Sequence, residues 1–236
     1  MIKLLPCLLA IFGSSCSKNY YADENKIADS LLKENLQMIE VKTNQLPDIK
    51  GMMYLYERKS KEDKFSLKDS FPVTIGKNGF AWDNTSPFKF GSQRIKREGD
   101  GCSPAGIFTL GKIFSYHQLE NLKMPFIMVD ENDLCVDDVN SIYYNQLVDA
   151  AVTDANAYNS FEHMKRKDDL YEYGVWVNYN TTETIAGNGS CIFLHIWKDE
   201  NSPTSGCTAM SRENMLKLID WLDEKKNPVL IQYSRM

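Results

Sequence analysis

A chain of 236 residues that is 43% hydrophobic and 11% aromatic has the apolar material for one substantial core, and nothing in it marks a second domain. The net charge of −5, with no basic block large enough to cover a face, argues against a nucleic-acid partner. Internal repeats, heptads and low-complexity tracts are absent.

Met1 to Ser15 sets one positive charge, Lys3, before the apolar run Leu4 to Phe12 and the small residues Gly13-Ser14-Ser15. This is the layout of an export signal, too short to span a bilayer as a folded helix. Cys16 follows directly, as in a bacterial lipoprotein signal, where cleavage leaves the cysteine as a lipid-modified N-terminus. An ordinary secretory signal is the alternative. The expectation is an exported protein of the cell envelope, held to a membrane through lipid on Cys16. Residues 16–35 are polar and charged, with Ile27, Ala28, Leu31 and Leu32 at helical spacing, and read as a tether ending in a short helix.

The remainder, 36–236, is rich in strand signals. Leu36 to Val41, Met52 to Tyr56 and Phe71 to Ile75 are strand-like, with Lys59 to Lys64 a charged turn. Gly76-Lys77-Asn78-Gly79 is turn chemistry and opens an irregular stretch through Pro87 to Gly101, which contains the small basic run Arg94 to Arg97. Gly106 to Ile113 and Phe126 to Val129 are again strand-like. Leu134 to Asn145 reads as a loop. Its adjacent Asp137 and Asp138 point oppositely in an extended chain, which suits capping better than paired acid–base work. Phe161 to Tyr171 carries Glu162, Arg166 and Asp169 at helical spacing, with His163 a surface residue and His117 in a similarly unspecific setting. Tyr173 to Tyr179, Ile192 to Trp197 and Val229 to Tyr233 are strands. Ser211 caps a helix whose Met215, Leu218, Ile219 and Leu222 share one face, and Pro228 marks the return to strand. The expected fold is mostly β, a β-rich sandwich with one or two packed helices.

The chemistry concentrates between Ser190 and Met210. Ile192, Phe193, Leu194, Ile196 and Trp197 form an apolar run that one imidazole, His195, interrupts. After the turn-rich Lys198 to Thr204, Gly206 permits a sharp bend directly before Cys207. An imidazole beside a thiol can take its proton and leave a nucleophilic thiolate. Amides converging around Gly206 can receive the oxyanion of a tetrahedral intermediate. The blander reading makes His195 a hydrogen-bonded core residue and Cys207 a small buried hydrophobe.

The HIW and PTSGCTAM segments resemble the active site of the L,D-transpeptidase (YkuD-like) family, in which an upstream His and the Cys of an S/T-x-G-C motif carry the reaction. Thr204-Ser205-Gly206-Cys207 fills that motif. Lys96-Arg97-Glu98-Gly99-Asp100-Gly101, followed by Ser103-Pro104-Ala105-Gly106-Ile107-Phe108, resembles the family's (S/T)P-x-G-x-F segment, and Tyr173 to Asn180 its strand into the site. The resemblance covers about Leu36 to Tyr233. Two departures mark a divergent branch: Ser205 and Ala209 stand where better-known members have His and Arg, and His195 and Cys207 lie closer together in sequence.

The resemblance implies a cysteine acyl-transferase acting on peptidoglycan stem peptides, with Cys207 as nucleophile and His195 as general base. It needs no metal or organic cofactor. Ile196 would orient His195 through its backbone carbonyl, and Gly206 and Ser205 would serve the oxyanion. Thr204, Lys96, Arg97 and Arg166 are candidates for holding substrate, the last three for its carboxylates, with Arg97 ranked before Arg166. An L,D-carboxypeptidase using water, or a non-catalytic wall-binding lipoprotein, are the rival readings. With Cys7 in the signal, Cys16 at the cleavage point and Cys207 kept free, Cys102, Cys135 and Cys191 allow one bridge; Cys102 to Cys135 is the expected pair, with Cys191 a buried strand thiol. No CxxC spacing supports a zinc site.

Overall fold

The computed structural model describes residues 32–44, 48–86 and 94–234. The expected signal, the lipidation site Cys16 and the tether up to residue 31 lie outside the described residues.

The main sheet grows outward from β1 (Gln37–Thr43), which pairs antiparallel with β2 (Lys50–Glu57) and parallel with β13 (Val229–Ser234). On one side β2 continues to β3 (Ser66–Thr74). On the other, β13 meets β5 (Ser103–Ser115), a strand long enough to serve two neighbours. Its residues Gly106 to Thr109 pair with β13, and Leu110 to Ser115 pair with β10 (Tyr173–Val177). From β10 the sheet runs to β11 (Phe193–Ile196) and then, in parallel, to β12 (Thr208–Met210), which meets β3 at Ala209 and Thr74. The ladder therefore closes on itself, and the two layers of the expected sandwich are continuous. Two short strands, β4 (Phe80–Trp82) and β6 (Phe126–Met128), attach to β5.

Alternation along each strand fills the interior. Ile39 and Val41, Met53 and Leu55, Phe71 and Val73, Val175 and Val177, and Leu194 and Ile196 belong to one buried cluster. Each such side chain contributes about 1.5–3 kcal/mol through burial. Helix α1 (Arg212–Trp221) closes onto this cluster as expected. Ser211 Oγ accepts from the Asn214 amide at its start, Met215, Leu218 and Ile219 are buried, and the Leu222 amide donates to Leu218 O at its end. An aspartate at Leu218 would place an unpaired charge in the core and detach the helix.

A second sheet covers the outer face of β10 and β11. Its centre is β7 (Asp133–Val136), flanked by β8 (Leu147–Asp149) and β9 (Phe161–His163). Two expectations are corrected here. The stretch from Leu134 is not all loop, because Leu134, Cys135 and Val136 are a short buried run with partners on both sides. Phe161 to Tyr171 is not helical, because charges at helical spacing without an apolar stripe do not hold a helix. Here Phe161 and His163 face out, and Asp169, in the left-handed region at φ 56°, turns the chain. Asp138 behaves as a capping residue, accepting from the Asn140 and Asn159 amides.

The cysteine pairing is also corrected. Cys135 is bonded to Cys191, with Cα atoms 6.0 Å apart, and Cys102 is free and buried. Cys102 leads into β5 beside the carbonyls of Asn78 and Asp100, whereas Cys135 sits on the covering sheet. Closeness in sequence gave no clue to this, because the bridge links the two layers.

Candidate active site

The two candidate catalytic side chains, Cys207 and His195, share a face because of strand alternation. Ile192, Leu194 and Ile196 turn into the core, while Cys191 and Phe193 join an outer cluster with Phe114, Met164, Tyr171 and Cys207. His195 lies two residues beyond Phe193 and so points the same way. In the parallel pair, Leu194 is opposite Thr208 and His195 opposite Ala209. Cys207, one residue before β12, therefore stands opposite Phe193, one step along from His195. Both are enclosed, each only 6% exposed.

The Phe193 amide donates to Cys207 Sγ at 3.3 Å, and the thiol is directed at the Cys191 carbonyl, 3.6 Å away. The His195 ring is pinned by Nδ1 donating to Ile196 O at 2.7 Å, the backbone contact expected of Ile196, which leaves Nε2 with the lone pair. No hydrogen bond joins His195 to Cys207.

The loop carrying the thiol is braced from two sides. Thr204 Oγ1 donates to Cys207 O at 2.6 Å and accepts from the Gly206 amide at 3.1 Å. Ser103 Oγ donates to the same carbonyl at 2.8 Å and accepts from the Gly76 amide at 2.9 Å. Thr204 thus spends its hydroxyl inside the loop, and the Gly206 amide is turned toward Thr204 rather than toward an oxyanion. A side chain on Gly206 would come within 3.2 Å of Cys102 O, so only hydrogen fits without displacement. Ser205 is exposed at the tip. Further along β5, the Phe108 ring lies where a Cβ on Gly106 would sit, 2.8 Å from it, which explains the glycine two residues before the aromatic.

The candidate substrate contacts separate in space. Lys96 is buried and paired with Asp100 at 2.7 Å, and its charge favours the Cys207 thiolate. Arg97 is exposed, and its Nη1 donates to Lys96 O and Asn188 Oδ1. Arg166 lies 5.0 Å above the Tyr171 ring, with Nε and Nη2 on Asp168. The Tyr171 ring in turn meets the His195 ring edge-on at 4.9 Å. Arg166, ranked second from sequence, is the arginine that stands against the site.

Two groups escaped the sequence reading. The Tyr171 hydroxyl donates to Glu162 Oε2 at 2.6 Å, and Tyr171 belongs to the same buried cluster as Cys207. Glu162 arrives there because β9 places it opposite Cys135, the cysteine bonded to Cys191. In sequence it looks like one charge among many.

Electrostatically the thiol and the imidazole both rest neutral. Burial, reinforced by the Glu162 carboxylate, pushes the Cys207 thiol up to about 12, against the Phe193 amide and the Tyr171 hydroxyl. Burial pulls His195 down to about 4, although the carbonyls of Ile196 and Leu170 favour its protonated form. Burial also raises Glu162, with Asp137 and Glu98 adding to the effect. A shielded thiol and a pinned neutral imidazole on one face can perform acyl transfer, provided ionisation is coupled to substrate.

No curated protein and no solved structure matches the chain. The profile of YkuD, the L,D-transpeptidase catalytic domain, matches residues 46–231, a span that runs from β2 into β13 and takes in the covering sheet, the thiol loop and helix α1. On that match the chain belongs to the L,D-transpeptidase (YkuD) catalytic-domain family.

Proposed function

We propose that the protein is an exported cysteine acyl-transferase acting on peptidoglycan stem peptides. Cys207 attacks a carbonyl following an L-centre, the terminal D-residue leaves, and the acyl group passes to an amine of a second stem. His195 Nε2 takes the thiol proton as Cys207 attacks and gives it to the departing amine, then takes a proton from the incoming amine and returns it to the sulfur as the acyl group leaves. Lipid on Cys16 would hold the domain at a membrane surface facing the wall. The observation that carries the reading is the placement of Cys207 and His195 on one face of the β11–β12 pair, with the imidazole held by Ile196 O.

The test is incubation of the full-length chain, solubilised in detergent, with disaccharide tetrapeptide, and resolution of the products by mass. A cross-linked dimer that has lost one terminal D-residue is expected. Trimmed tripeptide alone would instead identify a carboxypeptidase. Unchanged substrate, or turnover retained in folded Cys207→Ala, would overturn the reading.

A further inference from the structure

The acceptor amine carries more protons than His195 can remove. An amine of the stem type arrives as an ammonium at neutral pH, with three protons on nitrogen, and the amide it forms keeps one. Two must leave. His195 donates from Nδ1 to Ile196 O and so has a single lone pair, on Nε2, which carries one of them to the sulfur. The other needs a second base on the same face.

Glu162 stands on that face. It lies directly opposite Cys135 in the antiparallel pair of β7 and β9, so the two side chains point the same way, and that of Cys135 is bonded across to Cys191, just before β11. Cys191 in turn presents its carbonyl to the Cys207 thiol at 3.6 Å. Tyr171 fixes the carboxyl, because its hydroxyl donates to Glu162 Oε2 at 2.6 Å while its ring packs edge-on against His195 at 4.9 Å. Among the described residues Oε1 has no hydrogen-bond partner, and no cation pairs with the carboxylate. Arg166, over the face of the same ring, gives its ion pair to Asp168.

We propose that Glu162 is the base on the acceptor side, binding the incoming ammonium through its carboxylate and taking the first of the two protons. This rests on the acyl-transferase reading with Cys207 as nucleophile. An N–H bond of the ammonium breaks and its proton goes to Glu162, which leaves a neutral amine with a free electron pair. That pair forms the bond to the thioester carbonyl carbon. His195 Nε2 takes the second proton and returns it to Sγ as the C–S bond breaks, and Glu162 releases its own to water. Ammonium and thioester thus become amide, thiol and one free proton. Burial makes Glu162 a stronger base than a surface carboxylate, with Asp137 and Glu98 adding to the effect and Tyr171 and Arg166 opposing it. Water arrives neutral and needs no such help, so the carboxylate favours amines over water as acceptor.

The experiment gives the full-length chain, solubilised in detergent, disaccharide tetrapeptide with or without hydroxylamine at about pH 7.5, where the stem amine is an ammonium and hydroxylamine is neutral. Cross-linked dimer, hydroxamate and trimmed tripeptide are separated by mass. Glu162→Gln should lower dimer formation about tenfold or more, while hydroxamate and tripeptide change far less. Equal losses of dimer and hydroxamate would reduce Glu162 to a support for Tyr171 and overturn the proposal, as would unchanged dimer or a wild type that yields only tripeptide. If Glu162→Gln does not fold, Glu162→Ala with added formate decides: restored dimer supports the base, and its absence refutes it. A wild type that leaves the tetrapeptide whole is a different failure, that of acyl transfer itself.

Discussion

Cys191 offers its carbonyl to the Cys207 thiol at 3.6 Å while its own sulfur is bonded to Cys135 on the covering sheet. One residue thus ties the surroundings of Cys207 to the layer that carries Glu162. Its backbone is in the left-handed region, φ 54°, a conformation that costs a non-glycine residue about 1 kcal/mol or more and that the surrounding structure has to hold.

Opening that bond should therefore affect stability and reactivity together. Closing a loop across a separation of 56 residues stabilises by about 4 kcal/mol in the chain-entropy limit. The double variant Cys135→Ser, Cys191→Ser should show a lower urea midpoint and a changed rate of Cys207 alkylation. A loss of midpoint with an unaltered alkylation rate would mean that the cover does not shape the site.

Ser103 gives a second, more local test. Its hydroxyl links the Gly76 amide to the Cys207 carbonyl, so Ser103→Ala leaves a buried donor and a buried acceptor each short of a partner. The expected cost is about 1–3 kcal/mol, with a fall in kcat larger than any change in KM, because the thiol loop loses one of its two braces. Thr204→Ala, which removes the other brace, should behave alike, and kinetics that shift only KM would assign these hydroxyls to substrate instead.

The strands and the helix were legible because their patterns are periodic. Leu194 and Ile196 alternate with His195, and Met215, Leu218 and Ile219 recur at helical spacing, so burial follows from the order of residues. The thiol loop was legible through Gly206 and its neighbours. The covering layer was not. β8 and β9 are three residues each, too short for a period to register, and they exist because β7 lies between them. Glu162, Tyr171 and the Cys135–Cys191 bond belong to that layer, so the part of the site they build depends on contacts far apart in sequence. The placement of Arg166 over Tyr171 was hidden for the same reason.

His195 predicts an acid limit. Its folded value, about 4, lies below the ordinary histidine value near 6.5, so the unfolded chain binds a proton that the folded chain refuses. The stability linked to the neutral ring is complete above about pH 6.5 and is lost as pH falls toward 4, by about 3 kcal/mol. Urea midpoints at pH 7.5 and 4.5 should differ more in wild type than in His195→Gln. Equal differences would mean that the imidazole is not buried neutral.

The last prediction concerns substrate carboxylates, for which Ala209 offers no charge. Arg166 spends Nε and Nη2 on Asp168, and among the described residues Nη1 has no hydrogen-bond partner. Its stacking on Tyr171 holds the guanidinium beside the reacting face, where an added carboxylate can be met without ordering a free side chain. Arg97, by contrast, has Nη1 occupied by Lys96 O and Asn188 and lies exposed. Loss of a charge-assisted contact costs about 1.5–3 kcal/mol, so Arg166→Gln should raise KM for tetrapeptide stems about tenfold or more. The rate of Cys207 with neutral iodoacetamide should change far less, and Arg97→Gln should leave KM near the wild-type value. If KM is unmoved in Arg166→Gln and rises in Arg97→Gln, the carboxylate is held on the Lys96 side of the thiol, and the arginine above Tyr171 serves only its ion pair with Asp168.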